Sequence, residues 1–235
     1  MLSVLLLAGC GEKAAGEQLI MATNATFPPY EYYDGDKIVG IDIDIGEALA
    51  EKLGRTLVVE DMEFNSIVSA VSTGKADIGM AALSVTDERK ESVDFSINYA
   101  KGVQVIIVKQ DSDITGPDDL EGKTIGVQIA TTGDIYASDD FGEENIERFN
   151  KGTDTVLALA QGKVDAVIVD SEPAKVFVQQ NPDLKLLDTA YADEDYALIV
   201  KKDQADFLAE INQALQELID DGTLQKIVDK YIVAE

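Results

Sequence analysis

The sequence predicts an α/β protein built as two lobes that face one another across a ligand cleft and are joined by two crossing strands. Three observations predict it. Apolar repeats of period two and of about four residues alternate along the chain with short connections, the pattern of sheets covered by helices. A helix end, a glycine and a strand recur as one unit, Gly74-Lys75-Ala76-Asp77-Ile78 and again Gly162-Lys163-Val164-Asp165-Ala166, so two similar bodies are expected. Gly-Lys-x-Asp is also a common helix-to-strand connection. Residues 102–109 and 196–202 are strand-like, stand outside both units, and suit crossings between lobes with a hinge.

The elements follow in order. Residues 19–22 read as a strand, and Asp34-Gly35 between aromatic and apolar residues is a hairpin signal. Ile41, Ile45, Leu49 and Leu53 form the stripe of an amphipathic helix that Gly54 closes. Residues 56–60 are expected as a strand, 65–73 as a helix and 77–82 as a strand delivering Ser84 at its far end. Thr86 caps a helix with Asp87 and Glu88 in its first turn. Residues 124–128 are a strand that runs through Thr131-Thr132-Gly133 into a helix, and the apolar run 164–169 delivers Asp170. Residues 204–232 form two helices broken at Gly222, the first with the stripe Leu208, Ile211, Leu215, Leu218 and Ile219. The expected boundaries are residues 19–107 and 197–235 for lobe 1 and residues 108–196 for lobe 2.

Composition narrows the function. The chain has 235 residues, enough for one large or two small domains, with 45 acidic against 19 basic residues and a formal charge of −26. That sign argues against nucleic acid or anionic lipid as a partner, since both need a basic face. There is no histidine, which removes the commonest general base and metal ligand, so no metal and no cofactor are expected. The single cysteine, Cys10, can form no disulfide within the chain. It ends the run Leu5-Leu6-Leu7-Ala8-Gly9-Cys10, which resembles the lipobox of bacterial lipoprotein signal peptides, although the usual basic n-region is absent. Residues 1–10 are therefore expected as a signal-like segment with Cys10 as the lipidation site. Residues 11–18, small and polar, suit a tether.

Arg89 is the anomaly among the charges. It falls in the first turn of its helix, where the macrodipole disfavours a cation. Either it is an ordinary surface arginine or, with Ser84 just upstream, it receives a planar anion such as a carboxylate. Across the expected cleft, the hydroxyl-rich turn at Thr132 leaves backbone N–H groups open to a small anion, and no Walker or dinucleotide motif is present. Asp170 should be half buried and needs a positive partner, either a ligand ammonium or a neighbouring lysine. Arg89 with the Thr132 amide would hold a carboxylate, and Ser84 with Asp170 an ammonium. That combination is a receptor for an α-amino acid, with Phe27, Tyr30 and Phe64 as possible walls.

From residue 21 to residue 232 the chain resembles the bacterial extracellular solute-binding proteins of family 3, the amino-acid receptors of ABC importers. The stretches that carry the resemblance are Ala22-Thr23-Asn24-Ala25-Thr26-Phe27-Pro28-Pro29-Tyr30-Glu31, Val39-Gly40-Ile41-Asp42-Ile43-Asp44, Leu83-Ser84-Val85-Thr86-Asp87-Glu88-Arg89-Lys90 and Asp221-Gly222-Thr223-Leu224. The resemblance implies a type II periplasmic-binding-protein-like fold that closes over its ligand. It implies Arg89 and the Thr132 amide for the carboxylate, and Ser84, Asp170 and the Ala82 carbonyl for the ammonium. Phe27 and Phe64 match the aromatic sandwich of the ligand side chain. It further implies an extracytoplasmic, lipid-anchored monomer that passes a free, polar amino acid to an ABC permease. Asn24 departs from the aspartate frequent in members that hold basic or amide side chains, which tilts the expectation toward an uncharged ligand side chain. Gln128 would offer a neutral group near the same end, while Asp134 and Glu194 would restore negative charge if they point inward. The rival reading is a cyclohexadienyl-dehydratase-like enzyme with Asp170 or Glu172 as general acid. A sensor domain is a third, disfavoured because no later membrane span follows.

Overall fold

The computed structural model describes residues 17–232. Cys10, its apolar run and the expected tether as far as residue 16 lie outside the described residues. In chain order the first elements are β1 (Gln18–Thr23), β2 (Thr26–Phe27), β3 (Glu31–Asp34), β4 (Lys37–Val39), α1 (Ile41–Lys52), β5 (Thr56–Asp61), α2 (Phe64–Ser72), β6 (Ile78–Gly79), α3 (Asp87–Ser92) and β7 (Val93–Phe95). Then come β8 (Ala100–Lys109), β9 (Ile125–Gln128), α4 (Thr132–Phe141), β10 (Ile146–Phe149), α5 (Gly152–Ala160), β11 (Ala166–Asp170), α6 (Ser171–Gln180), β12 (Leu184–Leu186) and β13 (Ala192–Tyr196). The chain closes with β14 (Ile199–Lys201), α7 (Ala205–Asp220) and α8 (Thr223–Tyr231).

Two main sheets result. The first has the order β5-β1-β6-β14-β7, and the second β10-β9-β11-β8-β12 with β13 also paired to β8. The period of two in β1 explains how the first sheet is covered on both faces. Leu19 and Met21 join Ile41, Ile45 and Leu49 of α1 in one apolar cluster, while Ala22 joins Ile67 and Val71 of α2 in another. β11 divides in the same way, with Val167 and Val169 packed with Leu159 and Phe177 and Ile168 with Ala137 of α4. Each buried Val, Leu, Ile, Met or Phe among them contributes about 1.5–3 kcal/mol. The repeated glycines end their helices in the left-handed region, Gly74 at φ 77° and Gly162 at φ 72°.

The strand expected over 77–82 is shorter than its apolar pattern suggests. Only Ile78 and Gly79 enter the ladder, because Ala82 turns to φ 46° and donates its N–H to the Asp42 carboxylate at 2.9 Å instead. The first crossing also lies earlier than the 107/108 boundary read from the sequence. All of β8 pairs within the second sheet, with Gln104 to Val108 opposite β11, so the chain leaves the first sheet between Phe95 and Ala100. The apolar run gave no sign of this, since a crossing strand and a sheet-core strand are equally apolar. The return runs from Tyr196 to Ile199 beside the outward crossing, and the two are bonded by Tyr99 N–H to the Tyr196 carbonyl at 2.9 Å and Ser96 N–H to the Leu198 carbonyl at 3.0 Å.

Tyr196 is fully buried at this junction and lies against Gly102, where an added Cβ would overlap the phenol ring. Gly102→Ala should therefore displace Tyr196 and lower stability by about 1–3 kcal/mol, the usual range for overpacking. Urea unfolding of the two proteins checks this.

Candidate ligand-binding site

The parallel strands bring their carboxyl ends to the gap between the sheets, where ligands of open α/β sheets are held. Asn24 and Phe27 follow β1, Phe64 opens α2, Ala82 and Ser84 follow β6, and Arg89 lies in α3. From the other side Gln128 ends β9, Thr132 opens α4 and Asp170 ends β11. All nine line one cavity, together with Glu31, Ala81 and Thr131. The two sides touch across it. Gln128 Nε2 donates to Asn24 Oδ1 at 3.0 Å, and the hydroxyls of Ser84 and Thr132 are 3.3 Å apart.

Arg89 is buried, and its placement follows from the Thr86 cap, whose Oγ1 accepts the Arg89 N–H at 3.2 Å. The guanidinium donates to the Ser84 carbonyl at 2.7 Å and to the Ala130 carbonyl at 3.0 Å, and stands 5.5 Å from the Phe64 ring centre. Among the described residues no carboxylate is within 4 Å of it. Burial draws its pKa below the ordinary arginine value. Beside it, the first-turn amides of α4 have no carbonyl within their own helix to bond.

Asp170 carries the opposite imbalance. It is buried, accepts a hydrogen bond from the Tyr196 hydroxyl, and has no lysine or arginine nitrogen within 4 Å among the described residues. The neighbouring-lysine alternative therefore finds no lysine in place. Burial, and then the charge of Glu194, push the Asp170 pKa well above the carboxylate range.

The sequence reading missed Glu31. Its side chain lines the cavity at 1% exposure and lies close to Asp42, which is also fully buried. Asp42 Oδ2 accepts from the Ala82 amide and the Tyr99 hydroxyl, both at 2.9 Å. Neither Glu31 Oε2 nor Asp42 Oδ1 meets a donor from any other described residue. Burial raises both acids, Asp42 up to about 6 and Glu31 well above its usual value with the Asp42 charge as a further cause. The only signal in the sequence was an acid directly after Tyr30 in a proline-stiffened loop, easily taken for the polar start of a hairpin.

The remaining expectations divide. Tyr30 packs edge-on against Tyr196 at 5.5 Å as a core residue. Asp134 turns away from the cavity to accept from the Ala130 amide at 2.9 Å and to pair with Arg148 at 2.7 Å. Glu194 is buried behind Ser84. Two of the three described non-glycine residues at positive φ, Ala82 at 46° and Ala130 at 64°, sit at this site, each with its amide held by a carboxylate.

Comparison with known proteins shows the family. The family model of the bacterial extracellular solute-binding proteins, family 3, matches residues 19–234. The chain belongs to this family. Among its relatives is the arginine-binding extracellular protein ArtP of Bacillus subtilis (strain 168), 34% identical over 239 residues that cover 97% of this chain and 93% of the relative. The arginine-, lysine-, histidine-binding protein ArtJ from Geobacillus stearothermophilus superposes with a TM-score of 0.88 at 34% identity, covering 93% of this chain and 96% of that one. An ancestral arginine-binding protein bound to glutamine gives the same TM-score at 36% identity, covering 92% and 98%. This solute-binding protein therefore has the two-lobed type II periplasmic-binding-protein fold and works outside the cytoplasm.

The buried acids set a pH dependence of stability. A carboxyl whose folded pKa is raised binds more protons folded than unfolded, so stability falls as pH rises from the unfolded value through the folded one. For Asp42 that window runs from 3.8 to about 6. Asp42→Asn should flatten the decline of the ligand-free melting temperature across it, measured by thermal unfolding in a pH series.

Proposed function

We propose that this solute-binding protein captures a free amino acid with a cationic side chain and hands it to an ABC permease, as a monomer held by a lipid on Cys10 and with no chemistry of its own. The observation that carries this reading is the pair of buried groups without an oppositely charged protein partner, the Arg89 guanidinium and the Asp170 carboxyl, that face one cavity from opposite lobes. A zwitterion answers both. Its carboxylate would take Arg89 and the Thr132 amide, and its ammonium Asp170, Ser84 and the Ala82 carbonyl. Phe27 and Phe64 would sandwich the side chain, with Asn24 and Gln128 beside it.

Glu31 supports the cationic choice over the uncharged one. The tilt toward a neutral ligand rested on Asn24 lacking a charge, yet Asn24 is engaged with Met62, Thr26 and Gln128, and Glu31 is a second acid beside Asp170 that lines the cavity. The ligands named for the relatives, arginine above all, point the same way. The dehydratase reading has less support, since these relatives are named as binding proteins and Asp170 is better used as a counter-ion than as a proton donor. Closure follows from the same contacts: only with the lobes together do Arg89, Ser84 and Asp170 reach one ligand, so binding favours the closed state.

Thermal shift against the twenty amino acids is the primary test. A true ligand at a hundredfold excess over its Kd adds about 2.7 kcal/mol to stability. Arginine, lysine or histidine should give the largest shift, and no shift with any amino acid rejects the reading. Arg89→Ala should weaken every amino acid by at least ~30-fold, from the roughly 2–5 kcal/mol lost when one partner of a buried charge pair is truncated. Glu31→Gln should weaken arginine more than glutamine. Because Glu31 and Asp170 carry raised pKa values when free and must ionise to face cations, arginine binding should release protons and tighten as pH rises. Calorimetry in buffers of different ionisation enthalpy reads that release directly.

A further inference from the structure

Glu194 is a buried acid that the proposed contacts leave unused. It lies on β13, the strand that leads into the return crossing, opposite Gly102 of β8. Its Oε2 accepts from the Ser84 hydroxyl at 2.9 Å and from Gln104 Nε2 at 3.0 Å, while Oε1 is buried without a partner among the described residues. Glu194 does not line the cavity; it stands behind Ser84, which does. A serine hydroxyl has one proton and two lone pairs, so where its proton goes decides what the oxygen offers on its other side.

We infer that Glu194 is a positioning residue that fixes the polarity of Ser84, so that the site demands an α-ammonium on its ligand. With its proton committed to Glu194, Ser84 Oγ can only accept toward the cavity. A donor such as an ammonium is welcomed there. An analogue without the amine leaves the oxygen desolvated with only the Thr132 hydroxyl, 3.3 Å away, as a donor, and an added acceptor is repelled. Gln104 secures the arrangement from the second lobe, because its Nε2 donates to the same Oε2 and also faces Thr132 Oγ1 at 3.4 Å. The inference rests on the amino-acid-receptor reading and extends it to how the ammonium is selected.

The test compares the affinity of L-arginine with that of 5-guanidinopentanoate, which keeps the carboxylate and guanidinium but lacks the α-amine. Glu194→Leu removes the acceptor and frees the Ser84 proton. The preference for arginine should drop at least about tenfold, the scale of one hydrogen bond to a charged group, with the analogue little affected. Glu194→Gln can still accept from Ser84 through its amide oxygen, the orientation that the Gln104 N–H favours, and should keep the preference within about threefold. Equal weakening of both ligands by Glu194→Leu, an unchanged preference, or an equal loss in Glu194→Gln would each overturn the inference. Should Glu194→Leu not fold, Ser84→Ala carries the test, since it must lose the same preference and an unchanged value there is contradictory. Wild-type protein that binds none of arginine, lysine and histidine rejects the receptor reading for cationic ligands as well. Wild-type binding with the preference intact in the variants rejects the role of Glu194 alone.

Discussion

A guanidinium buried without a carboxylate is the constraint on which the rest of the site turns. Leaving a buried charge without its partner costs about 3–5 kcal/mol, and two carbonyl oxygens and the face of Phe64 offset only part of that. Those carbonyls come from different lobes, Ser84 from the first and Ala130 from the second, so Arg89 bridges the cleft as well as lining it. The compensation it lacks is a negative group delivered from outside. Asp170 makes the complementary demand from the opposite wall, and a single zwitterion meets both without any further charge entering the cavity.

The backbone is bent to serve this arrangement. Ala82 and Ala130 both adopt left-handed conformations that a residue with a Cβ disfavours, and each is held by a carboxylate that accepts its amide, Asp42 in one lobe and Asp134 in the other. Asp134 is charge-balanced by Arg148, but Asp42 has Glu31 for its neighbour. The first lobe therefore stores a second imbalance, of acid rather than base, at the end of the cavity where a ligand side chain would lie.

Much of this was legible in the sequence because it rests on local rules. The Thr86 cap fixed the helix position of Arg89, the apolar run before Asp170 announced a buried acid, and the hydroxyl turn at Thr132 announced open amides. Three things were not legible, each for a reason of long-range packing. Glu31 looked like the polar start of a hairpin because only the fold brings Asp42 against it. The first crossing was displaced by several residues because an apolar run reads the same whether it crosses between sheets or lies within one. Glu194 could not be placed because its meaning depends on Ser84 and Gln104, 110 and 90 positions away in the chain.

A crystal structure of the protein grown with L-arginine tests the central claim most directly. The account predicts the α-carboxylate at about 2.7–2.9 Å from Arg89, the α-ammonium on Asp170 and Ser84, and the guanidinium turned toward Glu31. A ligand bound with these ends reversed, or bound elsewhere while Arg89 keeps only its carbonyl partners, would contradict it.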